Sequence, residues 1–112
     1  MSTPDQGTVL AALGDVRRVE ILRQLAGGPR SVVALARELP ISRPAVSQHL
    51  RVLRLAGLVT HRRAGRTHYY ELDMRGLAAL RIFLDSLWQA GLDDLKAAAE
   101  RTTPRPQRRR RK

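Results

Sequence analysis

From Arg43 to Gly57 the chain reads RPAVSQHLRVLRLAG, and the chemistry of this stretch depends on which side chains share a face. In a helix each residue turns by about 100°, so Val46, Leu50 and Leu53 gather on one side while Arg43, Pro44, Ser47, Gln48 and Arg51 turn to the other. That polar set can bond to base edges in duplex DNA. Gln holds adenine with two hydrogen bonds, Arg forks onto guanine O6 and N7, and Ser reaches a base edge or a phosphate. One good bidentate pair discriminates between bases by about 1–3 kcal/mol. Arg51 and Arg54 suit phosphates, which position a protein without reading sequence.

Any solvated helix carries such residues, so the neighbouring segments decide. Downstream, Arg62, Arg63 and Arg66 surround Gly65 in HRRAGRTHYYEL, a hairpin-like run that presents guanidinium groups to a minor groove or to phosphates, with His61 and His68 beside them. Between residues 42 and 71 the only acid is Glu71. A polar helix followed at once by a basic hairpin is a recognisable DNA-binding module.

The elements that must position these groups follow from caps and periodicity. Val9, Leu10 and Leu13 make a short apolar stripe ending at Gly14. Asp15 then caps a helix over 16–26, with Val19, Ile21, Leu22 and Leu25 inward, Arg17, Arg18 and Arg23 outward, and Gly27-Gly28-Pro29 as its stop. Ser31 caps a short helix over 32–39, closed by Pro40, and Ser42 caps the helix that begins at Arg43 with Pro44 in its first turn. Val46, Leu50 and Leu53 are expected to pack on Val33, Leu35 and Ala36. Two β-prone stretches follow, 59–63 and 67–72, around a turn at 63–66. Asp73 then caps a long helix to about Glu100 in which Leu77, Leu80, Leu84, Leu87, Trp88, Gly91 and Leu95 keep a near-heptad stripe. The expected fold is mainly α, a winged helix-turn-helix in the order α-α-α-α-β-β-α with a long C-terminal dimerisation helix.

Composition is consistent with this. The 112 residues suit one domain, assigned here to 1–100, and the formal charge of +11 favours a polyanionic partner. Residues 101–112, RTTPRPQRRRRK, hold seven basic side chains and no apolar one, which reads as a disordered basic tail. With no cysteine, disulfide frameworks and thiolate chemistry are excluded by inventory. The first residues carry neither a basic leader nor a long apolar run, so no membrane association and a cytoplasmic, nucleoid-associated location are expected.

The segments ALGDVRRVEILRQL, SRPAVSQHLRVLRLAGLV and RRAGRTHYYELD together closely resemble the winged helix-turn-helix of the ArsR/SmtB family of bacterial repressors, over about Ala11 to Glu100. The resemblance implies a homodimer held by its first and last helices, bound to an inverted-repeat operator and repressing, often its own operon. It places Val32, Arg43, Pro44, Ser47 and Gln48 on DNA-contacting positions, and Ser42 at the start of the same helix is counted with them. Arg43 and Pro44 stand where the family more usually has small polar or amide residues.

Many family members sense metal through cysteines in the helix before the reading helix, or through Asp/His sets on the last helix. Here those places hold Val32-Val33-Ala34-Leu35 and Asp85, Asp93 and Asp94 without histidine, whereas Zn(II) favours imidazole or thiolate. No metal and no cofactor are expected. His49, His61 and His68 make a poor ligand set on sequence grounds, since His49 is expected on the exposed face of the reading helix, His61 and His68 belong to the hairpin, and no two of them share one helix at ligand spacing. Nor is an enzyme expected: Ser47 and His49, two apart on a helix, point about 200° away from each other, and Gly27-Gly28-Pro29 lacks the lysine of a phosphate loop.

The last helix needs a partner for Leu80, Leu84, Leu87, Trp88 and Leu95, and with Leu10 and Leu13 these form the expected homodimer seam. A twofold axis would set two reading helices about 34 Å apart, one turn of duplex. The expected partners are therefore double-stranded DNA, a second copy of the chain and a small-molecule inducer of unknown type. The alternative is an architectural protein that coats nucleic acid without sequence preference, driven by the basic tail through counterion release.

Overall fold

The computed structural model describes residues 6–102: Arg101 and Thr102, expected in the tail, close the last helix instead, and the rest of the expected tail lies outside the described residues. Five helices and one hairpin follow in order: α1 (Gln6–Ala12), α2 (Val16–Leu25), α3 (Val32–Glu38), α4 (Arg43–Leu55), β1 (Val59–Ala64), β2 (Thr67–Leu72) and α5 (Met74–Thr102). A winged helix-turn-helix with a long C-terminal helix is what the chain forms.

Local chemistry explains the helix ends. The Asp15 carboxylate accepts from the amides of Arg17 at 2.8 Å and Arg18 at 3.4 Å, Ser31 Oγ from Ala34 at 3.1 Å, and Ser42 Oγ from Ala45 at 3.3 Å. Each bond satisfies an amide that the first turn leaves without a helical partner. Asp73 does the same for the amide of Arg75 at 3.0 Å. After α2 and α4 the chain reverses through Gly28 and Gly57, whose φ values of 127° and 79° are strained for side chains with a Cβ.

The structure forms two units, one up to Leu80 and one from Arg81, so that α5 contributes its first turns to the former and the rest to the latter. In the first unit Ile21, Leu25, Leu35, Val46, Leu50, Leu53 and Leu58 are buried, joining α2, α3 and α4 to the start of the hairpin. Val33 departs from expectation: at 44% exposure it turns away from α4, and Leu39 takes its place in the core. Val33 and Leu35 lie two residues apart and cannot share a helix face, whereas Leu35 and Leu39 are one turn apart.

Arg18 also departs from the outward position expected of it. Its side chain is only 18% exposed. Its Nε donates to Ala12 O at 2.6 Å and its Nη2 to Ala11 O at 3.4 Å. These are carbonyls of the last turn of α1, of which Ala11 O also accepts from the Gly14 amide at 3.1 Å, and a cation there complements the helix dipole. Arg18 thereby fastens α1 to α2.

In the hairpin Val59 pairs with Leu72 and the ladder runs to Ala64 with Thr67, so β1 extends one residue past Arg63. The turn is the two residues Gly65 and Arg66, with Gly65 at φ 65°. Arg30 adds a single rung: its amide donates to Tyr70 O at 2.9 Å and its carbonyl oxygen accepts from the Tyr70 amide at 2.8 Å, tying the hairpin to the loop before α3.

Candidate nucleic-acid interface

Helix α4 places its side chains as amphipathic spacing requires. Val46, Leu50 and Leu53 are buried, and Ser42, Arg43, Pro44, Ser47, Gln48, Arg51 and Arg54 are all exposed. No acidic residue occurs in α4, so nothing on that helix offsets its three arginines. Val32, the first residue of α3, is half-buried against the core and presents only part of its side chain to solvent.

The hairpin divides its arginines between two faces, because alternate residues point to opposite sides. Arg63 shares a face with His61, His68 and Tyr70. Arg62 lies on the other with Thr60, Tyr69 and Glu71, and its Nε stands 3.6 Å from Glu71 Oε2. Arg63 Nε donates to Gly65 O at 3.1 Å, which draws that guanidinium toward the tip, where Arg66 is also exposed.

His49 is half-buried, contrary to the exposed position expected for it. It faces α2, with Nδ1 3.5 Å from Arg18 Nη1. Nearby Asp15 has its carboxyl held below the ordinary aspartate value. Partial burial opposes this, and it is outweighed by the amide bonds from Arg17 and Arg18 and by the charges of His49 and Arg18. His61 and His68 come together instead, across the hairpin, with Nδ1 atoms 3.5 Å apart.

Of the residues expected at a dimer seam, Leu10, Leu84, Leu87, Trp88 and Leu95 are exposed, Trp88 at 69%. Leu13 and Leu80 are half-buried. Leu92 and Met74 are exposed on α5 as well, each about one helical turn from a residue of that stripe. Among the described residues no helix is long and apolar enough to cross a membrane.

A capped short helix, a polar and basic second helix, and a hairpin with arginines at its tip define a DNA-binding winged helix-turn-helix regulator. Comparison with known proteins gives the family. Residues 15–61 match the model of the bacterial regulatory proteins of the arsR family. The chain is 56% identical over 81 residues to the HTH-type transcriptional regulator Rv2034 of Mycobacterium tuberculosis, spanning 72% of this chain and 76% of that protein. It is 41% identical over 87 residues to the HTH-type transcriptional repressor SmtB of the same species, spanning 78% of this chain and 63% of SmtB. A homodimeric winged helix-turn-helix DNA-binding domain from Mycobacterium bovis superposes with a TM-score of 0.62 at 32% identity, covering 79% of this chain and 82% of that one. The chain belongs to the ArsR family, whose members are transcriptional regulators and not enzymes.

Proposed function

We propose that the chain is a homodimeric repressor that binds an inverted-repeat operator near a promoter. Arg43, Ser47 and Gln48 read bases, Arg51 and Arg54 hold phosphates with Ser42 and Pro44 at the helix entry, and Arg62, Arg63 and Arg66 anchor the wing. The observation that carries this reading is the exposed, acid-free face of α4 beside a hairpin with arginines at its tip. Val32 is assigned the smallest share, a van der Waals contact from the start of α3.

Dimerisation is supported by the exposed apolar side chains Leu84, Leu87, Trp88 and Leu95 of α5 and by Leu10 of α1. Burying each is worth about 1.5–3 kcal/mol at most, before the cost of association. The homodimeric state of the M. bovis domain points the same way, and the name of SmtB supports repression over activation. The protein would act on the nucleoid in the cytoplasm.

The test is a footprint on the DNA upstream of its own gene. A protected inverted repeat with half-site centres about 10 base pairs apart is the expected result. Uniform protection, with specific and random DNA bound equally, would favour the coating alternative; a regulator shows a ratio of about 10³ or more at physiological salt. Leu84→Glu together with Leu87→Glu should yield a monomer in sedimentation that no longer protects both half-sites.

A further inference from the structure

The hairpin places two imidazoles edge to edge. His61 on β1 and His68 on β2 have nearly parallel ring planes, 14° apart, with centroids 5.6 Å apart but Nδ1 atoms only 3.5 Å apart. Face-to-face stacking at that centroid distance would leave the nitrogens farther apart, so the Nδ1 edges must point toward each other. Both residues are exposed, and the two-residue turn at Gly65-Arg66 fixes the register that brings them together.

The geometry points to an open two-histidine site in the wing for a borderline divalent transition-metal ion, of which Zn(II) is the simplest example. A tetrahedral ion with nitrogens at about 2.0–2.1 Å separates them by about 3.4 Å. The two Nδ1 atoms now face each other at 3.5 Å, within reach of a shared hydrogen bond, and rotation of these exposed rings turns both lone pairs toward one ion at about the same separation. His61 also lies against Tyr70, with ring centroids 5.5 Å and ring planes 18° apart, and Tyr70 is itself fastened through its backbone to Arg30.

Imidazole nitrogen selects Zn(II), Cu(II) or Ni(II) over Mg(II) or Ca(II), which want oxygen ligands. Among the described residues no group of three or more His, Cys, Asp and Glu side chains could hold a metal, so the pair has no third protein ligand and the ion's remaining positions belong to solvent. Ligation needs both Nδ1 atoms free of protons and both Nε2 atoms carrying one. From a neutral pair this is a change of tautomer, and at low pH protons compete with the ion.

The site rests on the hairpin alone and not on the operator reading, so it is tested on the untagged full chain without DNA. Zn²⁺ is titrated at neutral pH while the ring resonances of all three histidines are followed by NMR. One ion per chain should shift His61 and His68 together and leave His49 in place. Affinity should fall by at least about tenfold in H61Q and in H68Q, should be unchanged in H49Q, and should weaken at pH 5.5. Mg²⁺ should have no effect. The proposal is overturned if neither resonance moves at millimolar Zn²⁺, if H61Q and H68Q bind as tightly as the parent, or if Mg²⁺ produces the same shifts.

Discussion

Gly76, in the first turn of α5, packs directly on the backbone of Gly57, two residues past the end of α4. A Cβ built at position 76 would collide with the Gly57 carbonyl oxygen, lie 2.8 Å from its carbon and 3.5 Å from Leu58 Cα. Backbone cannot swing aside as a flexible side chain can. The junction between the reading helix and α5 therefore depends on a missing side chain. Gly76→Ala should destabilise the protein by about 1–3 kcal/mol despite the better helix propensity of alanine, read as a lowered urea midpoint with an unchanged m-value. Gly91→Ala is the control. Within one chain nothing lies within 4 Å of a Cβ there, so in the monomeric Leu84→Glu, Leu87→Glu variant a gain of about 0.5–1 kcal/mol is expected.

Asp15 provides the pH dependence. Its carboxyl is depressed in the fold, opposed by burial and favoured by the Arg17 and Arg18 amides and the His49 and Arg18 charges. A depressed acid stabilises the native state fully above its unfolded value and loses that contribution as pH falls through its folded value. Stability should thus decline on acidification below the unfolded aspartate value of 3.8. Asp15→Asn keeps a capping oxygen while removing the titration. Its stability curve should be flatter in acid, as followed by urea denaturation across pH 2.5–5.5.

Base readout and phosphate contact separate in competition binding. Gln48→Ala should cost about 1–3 kcal/mol on the preferred operator and relax preference at one base pair. Arg54→Ala should weaken binding to all sequences alike and reduce the slope of log affinity against log salt by about one. If Gln48→Ala weakened every sequence equally, Gln48 would be a phosphate contact instead.

Removing residues 101–112 should flatten the salt dependence further, because seven basic side chains leave with them. The preferred operator, measured by selection from random DNA, should not change. A changed preference would show that the tail reads sequence.

Much of this molecule is written along the chain. Asp15, Ser31, Ser42 and Asp73 announce helix starts, Gly28 and Gly57 announce stops, and the spacing of Val46, Leu50 and Leu53 fixes which side of α4 is buried and which is exposed. Capping, turns and amphipathic periodicity are interactions over a few residues, so the order of residues suffices to determine them. The tertiary structure decided what depends on distant segments meeting. It turned Arg18 and His49 toward each other, bonded Arg30 to Tyr70, set His61 beside His68 and laid Gly76 on Gly57. A guanidinium or an imidazole looks the same in sequence whether it faces water or caps a carbonyl. Its role emerges only when packing brings a partner within hydrogen-bonding reach.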